Sequence, residues 1–148
     1  MISITLAESQ ESPVALEALQ QVLEVFLDRL FEGERGVALH LTDDPEMQQL
    51  NGQFRNKEAT TDVLSWSYFE EEPDVEHVGD LAVSLDRVRA QAEENGWDEQ
   101  TELYRLLAHG CAHLAGWDHE RSEGEAREML EVEMELLNAV GLPGLYPE

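Results

Sequence analysis

Residues 109–119 read HGCAHLAGWDH, which places three of the chain's five histidines within one short segment. His109 and His113 are four residues apart, so a helix carries both on one face, one turn above the other. Two imidazoles placed this way can share a metal ion at Zn–N distances of about 2.0–2.1 Å. Gly116 then ends the helix, because glycine takes the left-handed conformation without steric penalty. The reversed chain can bring His119 back toward the first two. Three histidines leave one tetrahedral position open, the arrangement of a catalytic rather than a structural zinc. The expected site is one Zn2+ held by His109, His113 and His119 plus a water. Asp118 has three readings open to it: an acceptor that orients a ligand imidazole, a proton acceptor, or a carboxylate that caps the loop. Cys111 projects away from the ligand face and reads as a small helix-packing residue. His40 and His77 stand alone and read as ordinary hydrogen-bonded histidines.

The rest of the pattern supplies a scaffold for that helix. Residues 2–6 alternate apolar and polar, as a half-buried strand does. Ser12 and Pro13 read as an N-cap and first helical residue. Leu16, Leu19, Leu23, Phe26, Leu27 and Leu30 then recur at helical spacing until Gly33. Val37 to Leu41 reads as a second strand, Asp44 to roughly Phe54 as a short helix, and Val63 to Tyr68 as a third strand. The acidic run from Glu70 to Glu76 reads as a solvated loop, and Gly79 to Ser84 as a fourth strand. Helices follow: one ending at Asn95-Gly96, one capped by Asp98 and carrying the histidines, and one from about Glu123 to Val140. The order β-α-β-α-β-β-α-α-α fits an α/β or α+β domain, of which α+β is the expected class. It is read as a single domain over 1–148, a small four-stranded mixed sheet covered by about five helices, with a zincin-like metal site at a helix C-terminus.

Charge narrows the function classes. Asp and Glu number 33 against nine Lys and Arg, for a formal charge of −24 over 148 residues. Such a surface does not hold nucleic acid or anionic lipid by bulk attraction, so a polyanionic substrate needs a local positive cluster or a metal ion. Arg55, Lys57 and either Arg87 or Arg89 are the basic residues that could gather at one cleft. The acidity itself fits a solvated surface tolerated at high internal salt, or a face for a cationic partner. The lone Cys111 excludes an internal disulfide. No apolar stretch approaches the roughly 20 residues of a membrane span, and the N-terminus lacks the basic start of a secretory signal, so a cytoplasmic location is expected.

Two families share parts of this pattern. The three histidines and Gly116 match the H-E-x-x-H-x-x-G-x-x-H pattern of the metzincin proteases. Gly110, however, stands where those enzymes carry their general-base glutamate, which weakens a metalloprotease-like or other small-substrate hydrolase reading. With Gly110 in place the segment resembles the H-G-x-x-H-L-x-G-x-D-H signature of the YbeY family, agreeing at His109, Gly110, His113, Leu114, Gly116, Asp118 and His119. Trp117 replaces the usual tyrosine. LNGQFRNKEATTDVLSW is similar to a second family motif, matching at Leu50, Asn51, Phe54, Arg55, Lys57, Thr61, Asp62, Val63, Leu64 and Ser65. Thr60 departs from the usual proline, and Trp66-Ser67 from the usual Phe-Pro. Gly79-Asp80 with Ser84, and Glu125, Met129 and Glu133 near the C-terminus, extend the resemblance over about residues 1 to 142.

This resemblance implies a metal-dependent endoribonuclease. The expected substrate is single-stranded RNA, and the expected roles are maturation of ribosomal RNA, notably the small-subunit 3′ end, and ribosome quality control. It further implies the small ribosomal subunit or its proteins as partners, and a catalytic role for Arg55, which can clamp a phosphate bidentately. Lys57, Thr61, Asp62 and Ser84 are expected to bind substrate or support the cleft, Thr61 and Asp62 by side-chain to backbone hydrogen bonds. A ribosome-assembly binding protein with a purely structural metal is the other reading.

Overall fold

The alternation of strand residues sorts the apolar side chains into one deep layer. In the computed structural model, which describes residues 1–55, 61–118 and 120–144, nine elements follow one another. They are β1 (Ile2–Leu6), α1 (Leu16–Leu30), β2 (Gly36–Thr42), α2 (Asp44–Arg55), β3 (Val63–Ser67), β4 (His77–Ser84), α3 (Leu85–Asn95), α4 (Glu99–Leu114) and α5 (Glu123–Ala139). The strands form one sheet in the order β1-β2-β4-β3. β1, β2 and β4 run parallel, while β3 pairs antiparallel with β4 and lies at an edge. The fold is therefore the expected α+β domain with a four-stranded mixed sheet and five helices among the described residues.

Val37, Leu39 and Leu41 of β2 and Leu81 and Val83 of β4 point into the main core, packed with α1, α4 and the apolar face of α5. On the opposite sheet face Met47 of α2 covers Leu64 and Ala82 in a smaller cluster. Fully burying one leucine or valine contributes about 1.5–3 kcal/mol, so the core holding α4 is the main source of its stability. Leu103, Leu106, Leu107 and Leu114 of α4 are all buried in it.

Two sequence expectations shift. α1 begins at Leu16 with Ala15 as its N-cap, not at Ser12-Pro13. The Ser12 hydroxyl donates to the Val14 carbonyl at 2.6 Å and accepts from the Val14 amide at 3.3 Å. That local turn, which competes with helix start, turns Val14 into the core. β4 starts at His77 rather than Gly79, because Gly36 of β2 is paired with His77 across a register shift. The other ends fall where the residues place them: Gly96 caps α3 at φ 74°, and the Asp98 carboxylate accepts from the Thr101 amide at 2.8 Å to start α4.

Glycines set how closely α4 approaches the sheet. A Cβ on Gly110 would lie 2.9 Å from a Leu81 methyl and 3.3 Å from a Val63 methyl, and one on Gly79 would strike Leu114 and the Trp66 carbonyl. The Ser67 hydroxyl donates to the Leu114 carbonyl at 2.8 Å, fastening the last turn of α4 to the edge strand. The histidine-bearing face of the helix is thereby set beside β3.

Candidate metal centre

His109 and His113 lie in the last two turns of α4, and their rings meet edge to face with centroids 4.6 Å apart. The end of the helix fixes one of them. Gly116 adopts φ 99°, its amide donates to the His113 carbonyl at 3.0 Å, and the Trp117 amide donates to the Ala112 carbonyl at 3.1 Å. These are the two bonds of a Schellman stop. The turn carries the Trp117 carbonyl back over the helix, where it lies 2.9 Å from Nδ1 of His113. A carbonyl only accepts, so His113 must carry its proton on Nδ1 and present a lone pair on Nε2. Nδ1 of His109 faces the Glu133 carboxylate of α5 at 3.2 Å.

The two Nε2 atoms consequently face each other at 3.2 Å. Two imidazole nitrogens in such contact are held together either by a proton shared between them or by a cation bound to both lone pairs. Two ligands on one tetrahedral zinc, with bonds of about 2.0–2.1 Å, stand about 3.3 Å apart. Both the spacing and the chemistry of this donor pair thus fit a single metal ion. Among the described residues no group of three potential ligands is gathered. His119, the expected third ligand, lies outside the described residues.

The pair opens into a cavity of about 420 Å³ lined by Asn51, Thr61 to Ser65, Asp118 and Glu120 as well as the two histidines. The edge strand β3 thus forms one wall and the loop after α4 the other. The lining carboxylates of Asp62, Asp118 and Glu120 favour a cation there and oppose a bare phosphate. Asp118 accepts from the Glu120 amide at 2.7 Å and lies 3.5 Å from Nε of Arg121, so its capping role is present alongside its place in the cavity wall.

Other expected site residues divide clearly. Thr61 and Asp62 line the cavity, and the Asp62 carboxylate accepts from the adjacent Val63 amide at 2.8 Å. Ser84 is buried and stands off the cavity wall. Its hydroxyl caps α3 and donates to Asp44 at 2.7 Å, while its amide donates to the Asp62 carbonyl. Arg55 is the last residue of α2, but its side chain, like the whole of Lys57, lies outside what is described. Arg87 and Arg89 do not join the cavity lining. Arg87 is paired with Asp44, and Arg89 with Asp86 and Glu99.

His40 and His77 are hydrogen-bonded to Glu46 and Asp80, each at 2.7 Å, as lone histidines should be. Cys111 is fully buried, and burial pushes its thiol up to about 12, which fits a packing role. Sequence reasoning missed Arg121, whose guanidinium donates to the Gly116 carbonyl at 2.9 Å and pairs with Glu125 at 3.2 Å. The three- and four-residue spacing from Asp118 to Arg121 to Glu125 was its only signal.

A helix-borne imidazole pair opening on an edge-strand cleft defines a small α+β protein with a cavity lined by that pair. The family model described as Endoribonuclease YbeY matches residues 4–141. The Endoribonuclease YbeY of Persephonella marina is 35% identical over 135 residues, covering 90% of this chain and 88% of that protein. That of a Roseiflexus species is 43% identical over 113 residues, covering 72% and 71%. The solution structure of TM1509 from Thermotoga maritima superposes with a TM-score of 0.67 at 32% identity, covering 95% of this chain and 89% of that one. The chain belongs to the endoribonuclease YbeY family. No helix among the described residues is long and apolar enough to cross a membrane.

Proposed function

We propose that the protein is a zinc-dependent endoribonuclease that cuts single-stranded RNA in the cytoplasm. In this reading it matures ribosomal RNA, notably the small-subunit 3′ end, takes part in ribosome quality control, and meets its substrate on or near the small subunit. The observation that carries the proposal is the Nε2 pair of His109 and His113 at 3.2 Å, aimed into an open cavity. His109, His113 and His119 would hold the ion, leaving one position for substrate or water. Zinc bound there supplies a Lewis acid for a phosphoryl oxygen and lowers the pKa of water toward about 7.

The chain's own residues do the rest. Arg55, at the end of α2, would place its guanidinium on the scissile phosphate and offset the charge that builds up during cleavage. Thr61 and Asp62 hold the start of β3 against the cavity, and Lys57 would add positive charge for the substrate. Asp118 lies in the cavity wall, where its carboxylate can orient His119 or accept a proton. Three lining carboxylates repel phosphate, so RNA entry depends on the cation and on these few basic side chains.

Gly110 argues against a protease. The position after the first histidine is a glycine packed against Leu81 and Val63, so the chain has no carboxylate where a protease would carry its general base. The test is incubation of the purified protein with single-stranded ribosomal RNA and with a peptide substrate, with and without chelator. Cleavage of RNA alone, lost on chelation and restored by zinc, is expected. RNA cleavage by metal-free protein refutes the metal's role. Ribosome association without any turnover supports the assembly-protein reading instead.

A further inference from the structure

We infer that Glu133 is a positioning residue for His109, setting which nitrogen of that imidazole faces the metal. The inference rests on the metal reading above. The buried face of α5 consists of Met129, Glu133, Leu136 and Leu137, an apolar stripe interrupted by one carboxylate. Glu133 is only 5% exposed. Burying a charge among methyl groups costs several kcal/mol unless it is paired, and a leucine there would complete the stripe at no such cost. The carboxylate lies 3.2 Å from Nδ1 of His109.

An ionised carboxylate only accepts, so it draws the His109 proton to Nδ1 and leaves the lone pair on Nε2. The other tautomer would point its Nε2–H at Nε2 of His113, 3.2 Å away. A metal cannot be held by a protonated nitrogen. The Trp117 carbonyl does the same work for His113, but it comes from the helix's own end. The acceptor for His109 comes from a separate helix, so Glu133 couples α5 to the centre.

The experiment compares wild type, Glu133→Gln and Glu133→Leu for zinc affinity by chelator competition, and for the His109 tautomer by 15N NMR of the metal-free protein. Circular dichroism and urea unfolding report the fold. Glu133→Leu should fold at least as stably as wild type yet bind zinc roughly 10- to 100-fold more weakly, the usual loss when such a hydrogen-bond partner is removed. Glu133→Gln, whose amide oxygen still accepts, should recover most of that affinity. His109 should be an Nδ1–H tautomer in wild type and Glu133→Gln. Equal zinc affinity in wild type and Glu133→Leu overturns the role of Glu133. So does an Nε2–H tautomer in the wild type, a result that needs no variant to fold. Wild-type protein that takes up no zinc refutes the metal reading itself.

Discussion

Replacing Gly110 by alanine gives a stability change whose sign depends on the packing that places the histidines. In an uncrowded helix the substitution would stabilise by about 1 kcal/mol, since glycine is that much the poorer helix former. Here the new Cβ would sit 2.9 Å from Leu81 and 3.3 Å from Val63. Leu81 is 1% exposed, so it can move only by displacing its core neighbours, and a β-branched valine has little rotamer freedom. Overpacking of this kind costs typically about 1–3 kcal/mol, so the net expectation is a loss of about 1 kcal/mol. With a urea slope near ~2 kcal/mol/M for a chain of this size, the midpoint should fall by about 0.5 M. Unfolding followed by tryptophan fluorescence would read it. Gly110→Glu should lose more than about 4 kcal/mol, because the carboxylate is buried without a partner. A midpoint that rises with alanine, or a stable glutamate variant, would refute the close helix–sheet contact.

His113→Ala should lose zinc binding and RNA cleavage together while keeping the helical circular dichroism signal; retained cleavage would break the scheme. Arg55→Glu should keep zinc stoichiometry, checked by elemental analysis, yet cut the cleavage rate severely, and an unchanged rate removes Arg55 from the site. Binding of single-stranded RNA, measured by fluorescence anisotropy, should strengthen as salt rises from low to moderate levels, because screening relieves the repulsion from a chain of charge −24. Steady weakening would instead mean that local basic contacts dominate. Cys111, with its thiol pushed up to about 12, should stay unreactive to thiol reagents at pH 8 until the protein unfolds. Its folded pKa lies above the unfolded value of about 8.5, so its contribution is intact below that pH and is lost as pH rises toward 12. Cys111→Ala should flatten part of that alkaline fall, as read by urea unfolding at several pH values.

The scaffold was legible because its signals are local. Two-residue alternation marked β1, the leucine spacing marked α1, and Gly96, Asp98 and Gly116 marked helix ends by known cap chemistry. The helix start at Ser12-Pro13 was misplaced because a serine that caps a helix and one that closes a short turn look alike in sequence. Only the burial of Val14 decides between them. The pairing of His109 with His113 was readable from their spacing alone. The partners of their other ring nitrogens were not: Glu133 arrives from a different helix and Trp117 through a backbone carbonyl. The misassignment of Arg87 and Arg89 to the cleft has the same origin, since charge composition says nothing about which acidic neighbours take up a guanidinium.

X-ray absorption at the zinc edge of stoichiometrically loaded protein examines the centre itself. The expected spectrum has one zinc per chain, three imidazole nitrogens at about 2.0–2.1 Å and one light, exchangeable oxygen ligand. Four ligands drawn from the polypeptide, or zinc that fails to bind at one equivalent, would contradict an open catalytic centre and the nuclease built on it.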